Sequence, residues 1–132
     1  MTHKKVSRDK NIEKTVRVIL KSRSRSRIYV YLLRKNGAKT EEIIKGTKLH
    51  PSTVRETLSK MHDQKLIYRK KLKNDHIGKN PFMYYAIPPI KLLKKYAEEM
   101  EERLNKLANL SISGNKDNSV VKIKISEGVK EI

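Results

Sequence analysis

Between Thr40 and Lys71 the helical spacing of apolar residues is interrupted once and then gives way to strict alternation, an order that few folds accommodate. In "TEEIIKGT", Thr40 is a good N-cap with Glu41 and Glu42 in a first turn where the helix dipole favours acids, and Gly46 is expected to break the helix. After "TKLH", Pro51 suits the first position of a second helix, because its fixed φ and missing N–H cost nothing there. Val54, Leu58 and Met61, at spacings of 4 and 3, make one buried stripe and leave Ser52, Thr53, Arg55, Glu56, Ser59 and Lys60 facing outward. The period then drops to two. Leu66, Tyr68 and Lys70 alternate with Ile67, Arg69 and Lys71, "FMYYAI" supplies a second strand, and "KNDHIGKNP" between them is rich in turn residues.

Two helices joined by a tight turn, the second with a polar and basic outer face, form a helix-turn-helix arrangement, here followed by a hairpin with a long basic tip. Upstream, "KSRSRSRIYVYLLRKNG" begins like a low-complexity tract, yet Ile28, Tyr31 and Leu32, widened by Tyr29 and Leu33, mark a helix that Asn36-Gly37 ends as a left-handed cap. A serine among residues 22 to 26 can cap it, which crowds Arg23, Arg25 and Arg27 at a helix N-terminus where phosphate is favoured. A hinge with merely solvated arginines is the alternative; a true arginine-serine domain is disfavoured because an apolar helix starts at once. Ala38-Lys39 reads as a short extended link. Ile12, Val16, Ile19 and Leu20 form the stripe of an earlier helix, from Asn11 to about Ser22, too short to stand alone and expected to dock on the domain after it.

Downstream, Pro89 can open a helix in which Ile90, Leu93, Ala97, Met100, Leu104 and Leu107 are spaced 3, 4, 3, 4 and 3, a heptad seam flanked by Glu and Lys. The seam can pair two subunits or pack back on its own domain, and the first is favoured. The organisation expected is a basic arm and amphipathic helix over 1–22, a core domain over 23–88, a heptad dimerisation helix over 89–110 and a flexible or strand-forming tail over 111–132, where Val121, Ile123 and Ile125 alternate with lysines.

The net charge of +18, from 32 basic and 14 acidic residues, attracts polyanions. Residues 1–35 hold 12 basic and 2 acidic side chains and residues 48–88 hold 9 and 3, whereas 89–110 hold 5 and 4. The field belongs to the first two thirds of the chain. Nucleic acid is the default partner and an anionic membrane the rival; no apolar run of spanning length or signal peptide is present, so a cytoplasmic, nucleoid-associated protein with no membrane partner is expected. Without cysteine there is no disulfide, thiolate nucleophile or zinc finger, and His3, His50, His62 and His76 are scattered with no metal spacing. No enzyme, metal or cofactor is expected.

The order of helix, link, helix, turn, helix and hairpin over residues 23–88, about half the chain, resembles the winged helix-turn-helix transcriptional regulators of archaea and bacteria. It is similar to the TrmB-like, ArsR-like and MarR-like groups in Leu49 before the third helix, Ser52-Thr53-Val54 near its start and Met61 through Leu66-Ile67 leading into the wing. The Lys- and Ile-rich composition and basic N-terminal helix are similar to archaeal regulators, activators of archaellum genes among them. The fold implied is mainly α with a small β-hairpin, a winged helix-turn-helix with an added N-terminal helix and a C-terminal dimerisation helix. Because no segment is left for an effector-binding domain, no small-molecule effector is expected.

That resemblance implies a homodimeric regulator binding double-stranded promoter DNA. The recognition helix would offer His50, Ser52, Thr53, Arg55, Glu56, Ser59 and Lys60 to the major groove, Arg55 reading guanine bidentately or clamping a phosphate. Phosphate contacts are expected from Arg23, Arg25, Arg27, Lys39, Thr40 and Lys48, and wing contacts from Arg69, Lys71, Lys73, Asn74, His76, Lys79 and Asn80. The alternatives are a winged helix that binds RNA or nucleic acid non-specifically, as chromatin proteins do, and an adaptor that docks on the transcription machinery through the N-terminal helix. Tyr29, Tyr31, Tyr84 and Tyr85 could stack on unpaired bases, but their positions in helix and strand patterns favour core packing.

Overall fold

The Ser-Arg run is helical. In the computed structural model, which describes residues 2–73, 81–112 and 124–125, helix α1 spans Thr2–Leu20 and helix α2 spans Arg23–Lys35. Ser22 is the N-cap of α2: its extended backbone (φ −152°) turns the hydroxyl onto the Arg25 N–H at 3.2 Å. The serines of the run make close packing possible. Ser26 is fully buried and donates to the Ser22 carbonyl at 2.6 Å, while Ser24 Oγ accepts from Thr57 Oγ1 at 3.4 Å. Asn36 (φ 58°) and Gly37 (φ 109°) end α2 as expected, and the Gly37 N–H returns to the Leu32 carbonyl at 3.2 Å. A Cβ on Gly37 would lie 2.5 Å from the Tyr85 ring, so both conformation and space require glycine there.

Helix α1 begins at Thr2, well before Asn11, so the basic arm is itself helical backbone; residues 2–10 contain neither Gly nor Pro, and Lys and Arg are good helix formers. It packs on α2, burying Val16 and Leu20, and Arg27 Nε lies 3.7 Å from Glu13 Oε1 across the junction.

Helix α3 is Thr40–Thr47 and helix α4 is Pro51–Asp63. The α3 cap sits one residue earlier than the sequence implies. Lys39 is the N-cap, its backbone N–H donating to Glu42 Oε1 at 2.9 Å, and Thr40 is already helical. Gly46 does not break α3. It lies within the helix, where an added Cβ would meet the Tyr31 ring at 2.0 Å, so glycine is there for the close approach of α2. The chain turns instead at Lys48, in the left-handed region at φ 59°.

Strand β1 (Ile67–Lys71) pairs antiparallel with β2 (Phe82–Ala86), Ile67 opposite Ala86 and Lys71 opposite Phe82. The Ala38 link is a third, one-residue rung: Ala38 and Tyr84 exchange backbone hydrogen bonds of 3.0 and 2.9 Å. The core under this sheet is Ile28, Tyr29 and Leu32 of α2, Ile43 of α3, Val54, Leu58 and Met61 of α4, and Ile67 and Tyr84 of the hairpin. Tyr29 Oη donates to the Ile87 carbonyl at 2.7 Å, and burial pushes its pKa up to about 12. Tyr29, Tyr31 and Tyr84 are core residues, as their pattern indicates. Among the described residues no buried side-chain nitrogen or oxygen lacks a hydrogen-bond partner.

Residues 1–88 form one compact unit and residues 89–132 another. The second is built on helix α5, Pro89–Ile112. Of its heptad positions Ala97, Met100 and Leu104 are half-buried, while Ile90, Leu93 and Leu107 are 54%, 49% and 65% exposed. Helix α5 continues through Ser111 and Ile112, two residues past the expected end at 110, while wing-tip residues Asn74, His76, Lys79 and Asn80, and the rest of the tail except Lys124 and Ile125, lie outside the described residues.

Candidate nucleic-acid interface

Helix α4 divides sharply by side. Val54, Thr57, Leu58 and Met61 are buried, whereas Ser52, Arg55, Glu56, Ser59 and Lys60 are exposed and Thr53 is half-buried at the rim. Its entry is fixed by His50, whose Nδ1 accepts the Ser52 N–H at 3.2 Å and lies 2.7 Å from Ser52 Oγ. An accepting Nδ1 places the ring proton on Nε2, which leaves a donor on the far edge of an exposed imidazole. Pro51 occupies the first helical position.

Two outward residues of α4 are engaged with each other: Lys60 Nζ is 3.3 Å from Glu56 Oε1, an i,i+4 pair on an exposed face. Glu56 therefore neutralises Lys60 and does not hold Arg55. Arg55 has no ion-pair partner among the described residues, and its guanidinium keeps its fork of donors.

The contact from Thr57 to Ser24 sets the first turn of α2 against the middle of α4. Arg23, exposed, and Arg25, half-buried, flank Ser24 in that first turn. Arg27 differs. It faces α1 and is paired with Glu13, so part of its charge is already spent inside the molecule. Lys39 and Lys48 are exposed at the two ends of α3, and Thr40 is half-buried.

On the hairpin, Arg69, Lys71 and Lys73 are exposed. The Arg69 guanidinium lies 4.3 Å from the centroid of the Phe82 ring, and on the neighbouring alternation Lys70 Nζ lies 5.4 Å from that of Tyr85. Tyr85 in turn stacks on Tyr68, with centroids 5.2 Å apart and planes within 16°. Lys70 is not among the contacts expected on sequence grounds; its place two residues after Tyr68, on the same strand face, is the signal that points to it. These rings stiffen the root of the wing and hold its cations outward. Among the described residues no group of histidines and carboxylates could hold a metal ion, and no helix is long and apolar enough to cross a membrane.

A family model described as the sugar-specific transcriptional regulator TrmB matches residues 22–90. No curated protein matches the chain. Among solved structures, the fold is similar to a possible transcriptional regulator from Methanosarcina mazei Go1, at 19% identity and a TM-score of 0.61 over 79% of this chain and 89% of that one. It is also similar to NadR solved in complex with 4-hydroxyphenylacetate, at 16% identity and a TM-score of 0.50 over 80% and 77% of the two chains. At these identities the structural likeness speaks for the winged-helix fold alone, while the family match spans more than half of the chain.

Proposed function

The chain belongs to the TrmB family of transcriptional regulators, and on that basis we propose that it binds double-stranded promoter DNA sequence-specifically, as a homodimer, with α4 in the major groove. The observation that carries this reading is the division of α4: a face of Ser52, Arg55, Ser59 and Lys60 held outward by a buried Val54, Leu58 and Met61. Arg55 is the residue assigned to guanine O6 and N7, because a bidentate contact needs a guanidinium not already paired. His50 and Ser52 contact bases or phosphates at the helix entry, Thr53 and Glu56 line the rim, and Glu56 orients Lys60. Arg23, Arg25, Lys39, Thr40 and Lys48 hold the flanking phosphates, with Arg27 contributing less because of Glu13. The wing, with Arg69, Lys71 and Lys73, follows the minor groove, where A·T-rich sequence deepens the negative potential.

The exposed half of the α5 seam supports the homodimer: Ile90, Leu93 and Leu107 remain about half or more exposed in a single chain, and a second copy would cover them. A two-fold dimer places recognition helices about 34 Å apart and calls for half-sites 10 to 11 bp apart, roughly one turn of DNA. The proposal includes neither a small-molecule effector nor a catalytic step, and it places the protein on the nucleoid.

Selection from random duplex DNA at about 0.15 M salt, followed by footprinting, tests it. Enriched sites with a repeated half-site are the expected result. Enrichment without a motif, with log K falling against log salt at a slope near −0.9 per phosphate contact, would reduce the basic face to a general nucleic-acid clamp.

A further inference from the structure

The second unit contains a detail that the dimer reading does not use. A cleft of about 670 Å³ runs along the first half of α5, between the helix and the C-terminal segment. One wall is Leu93, Tyr96, Ala97 and Glu101; the other is Lys124 and Ile125. The segment is anchored by its backbone, the Ile125 N–H donating to the Glu101 carboxylate. Lys124 enters a cleft whose helix wall carries Glu98 and Glu101 against the single cation Lys94, so that wall is net acidic. Leu93 and Ala97 belong to both surfaces. They are consecutive members of the heptad seam, spaced 4 apart, and they line the cleft that Ile125 borders on its other side.

We propose that the C-terminal Lys124–Ile125 segment is an intrachain occupant of the α5 seam and competes there with a second copy of the chain. The competition rests on the dimer reading; the seat does not. The Lys124–Ile125 segment stands across the cleft from Leu93 and Ala97, where a partner's α5 would have to lie to pack on them, and one space at close-packed density admits one occupant. The seam is therefore divided. Leu107, 65% exposed and outside the cleft, is open to a first encounter, and full pairing requires the Lys124–Ile125 segments of both chains to leave. If the tail is seated in about nine chains of ten, a dimer that needs two open seams is weakened about a hundredfold, since apparent affinity scales with the competent fraction of each partner. DNA carrying two half-sites would pull the equilibrium toward the open form by mass action.

The chain has no cysteine, so introduced pairs report without background. In the full-length protein, Glu98→Cys with Lys124→Cys places thiols on opposite walls of the cleft while leaving Leu93, Ala97 and Ile125 intact. A short bismaleimide should join them within one chain, giving a monomer-mass product whose linked peptides mass spectrometry identifies. A dimer-mass product overturns the intrachain seat and makes the occupant the tail of a second copy; failure to form any product overturns it outright. In parallel, sedimentation compares the native chain with full-length Ile125→Asp, which sets a carboxylate against Glu98 and Glu101 and unseats the tail. The variant should dimerise at about a hundredfold lower concentration. An unchanged dissociation constant overturns the competition. If both chains stay monomeric while the intrachain product forms, the dimer reading falls and the competition falls with it, but the tail's seat on α5 stands.

Discussion

Helices α2 and α5 carry the same kind of signal, an apolar stripe at helical spacing, and meet opposite fates. In α2 the stripe of Ile28, Tyr29 and Leu32 has its partners inside the unit and is almost wholly withdrawn from water. In α5 the stripe keeps Ile90, Leu93 and Leu107 about half or more exposed. Periodicity states that a helix has a face to bury. It does not state against what. The chain uses one stripe to build a domain and leaves the other about half exposed, which is where the proposed dimer would form, and that difference is measurable.

The largest effect should fall on the closed stripe. Leu32→Ala removes buried methyl groups beside Tyr29 and should cost about 2 to 5 kcal/mol in chemical denaturation, with the denaturant slope unchanged. Leu107→Ala, at a seam position, should shift stability by less than about 0.5 kcal/mol at concentrations where the chain is monomeric. Equal losses would mean that Leu107 is packed within a single chain. The complementary change, Met100→Glu with Leu104→Glu, should leave the unfolding of the first unit intact and abolish dimers in sedimentation; a double variant that still dimerises puts the seam elsewhere.

The same contrast separates two arginines. Arg55→Ala should cost roughly 1 to 3 kcal/mol of DNA affinity and relax specificity at one base pair, as read by competition among singly substituted duplexes. Arg27 points to Glu13, and Arg27→Ala should instead loosen α1 by about 0.2 to 1 kcal/mol and weaken all duplexes alike. A uniform loss for Arg55→Ala would make it a phosphate contact.

Gly46→Ala sets helix propensity against packing. Alanine is the better helix former by about 1 kcal/mol, so a glycine serving only as a breaker would be improved by the change. The Tyr31 ring at 2.0 Å from the added Cβ predicts the reverse, a net loss of about 1 to 3 kcal/mol as α2 and α3 are forced apart. Tyr31→Leu in the same chain should recover part of that loss.

Gly46 also marks the boundary of what the sequence discloses. Features set within a few residues are legible in it: the Ser22 cap, the Asn36-Gly37 stop, Pro51 at the start of α4, the outward face of α4 and the period-two hairpin. Features that depend on a distant partner are not. Tyr31 lies in the preceding helix, the Ala38 rung needs Tyr84 on the far side of the wing, and the pairing of Arg27 needs a docked α1. Residue type puts the α3 cap one position late because Thr40 is the better cap, whereas the Glu42 side chain reaching the Lys39 N–H decides the position. The stacking of Lys70 and Arg69 on rings comes from the cross-strand register, which sequence leaves open until the turn is known.

A last substitution tests stability and function in one residue. Lys48 sits at φ 59°, a conformation that disfavours residues with a Cβ, and it is also one of the proposed phosphate contacts between α3 and α4. Lys48→Gly relieves the backbone and should stabilise the fold by roughly 1 kcal/mol, a rise of a few degrees in Tm. The same change removes a charge, and if Lys48 holds a phosphate the salt slope of DNA binding should fall by about 0.9. A chain that becomes more stable yet binds more weakly and with less salt dependence shows that lysine is kept at a strained position for the DNA. A chain that becomes more stable with an unaltered slope shows that the turn alone set the conformation, and the proposed contact would then be removed from the interface.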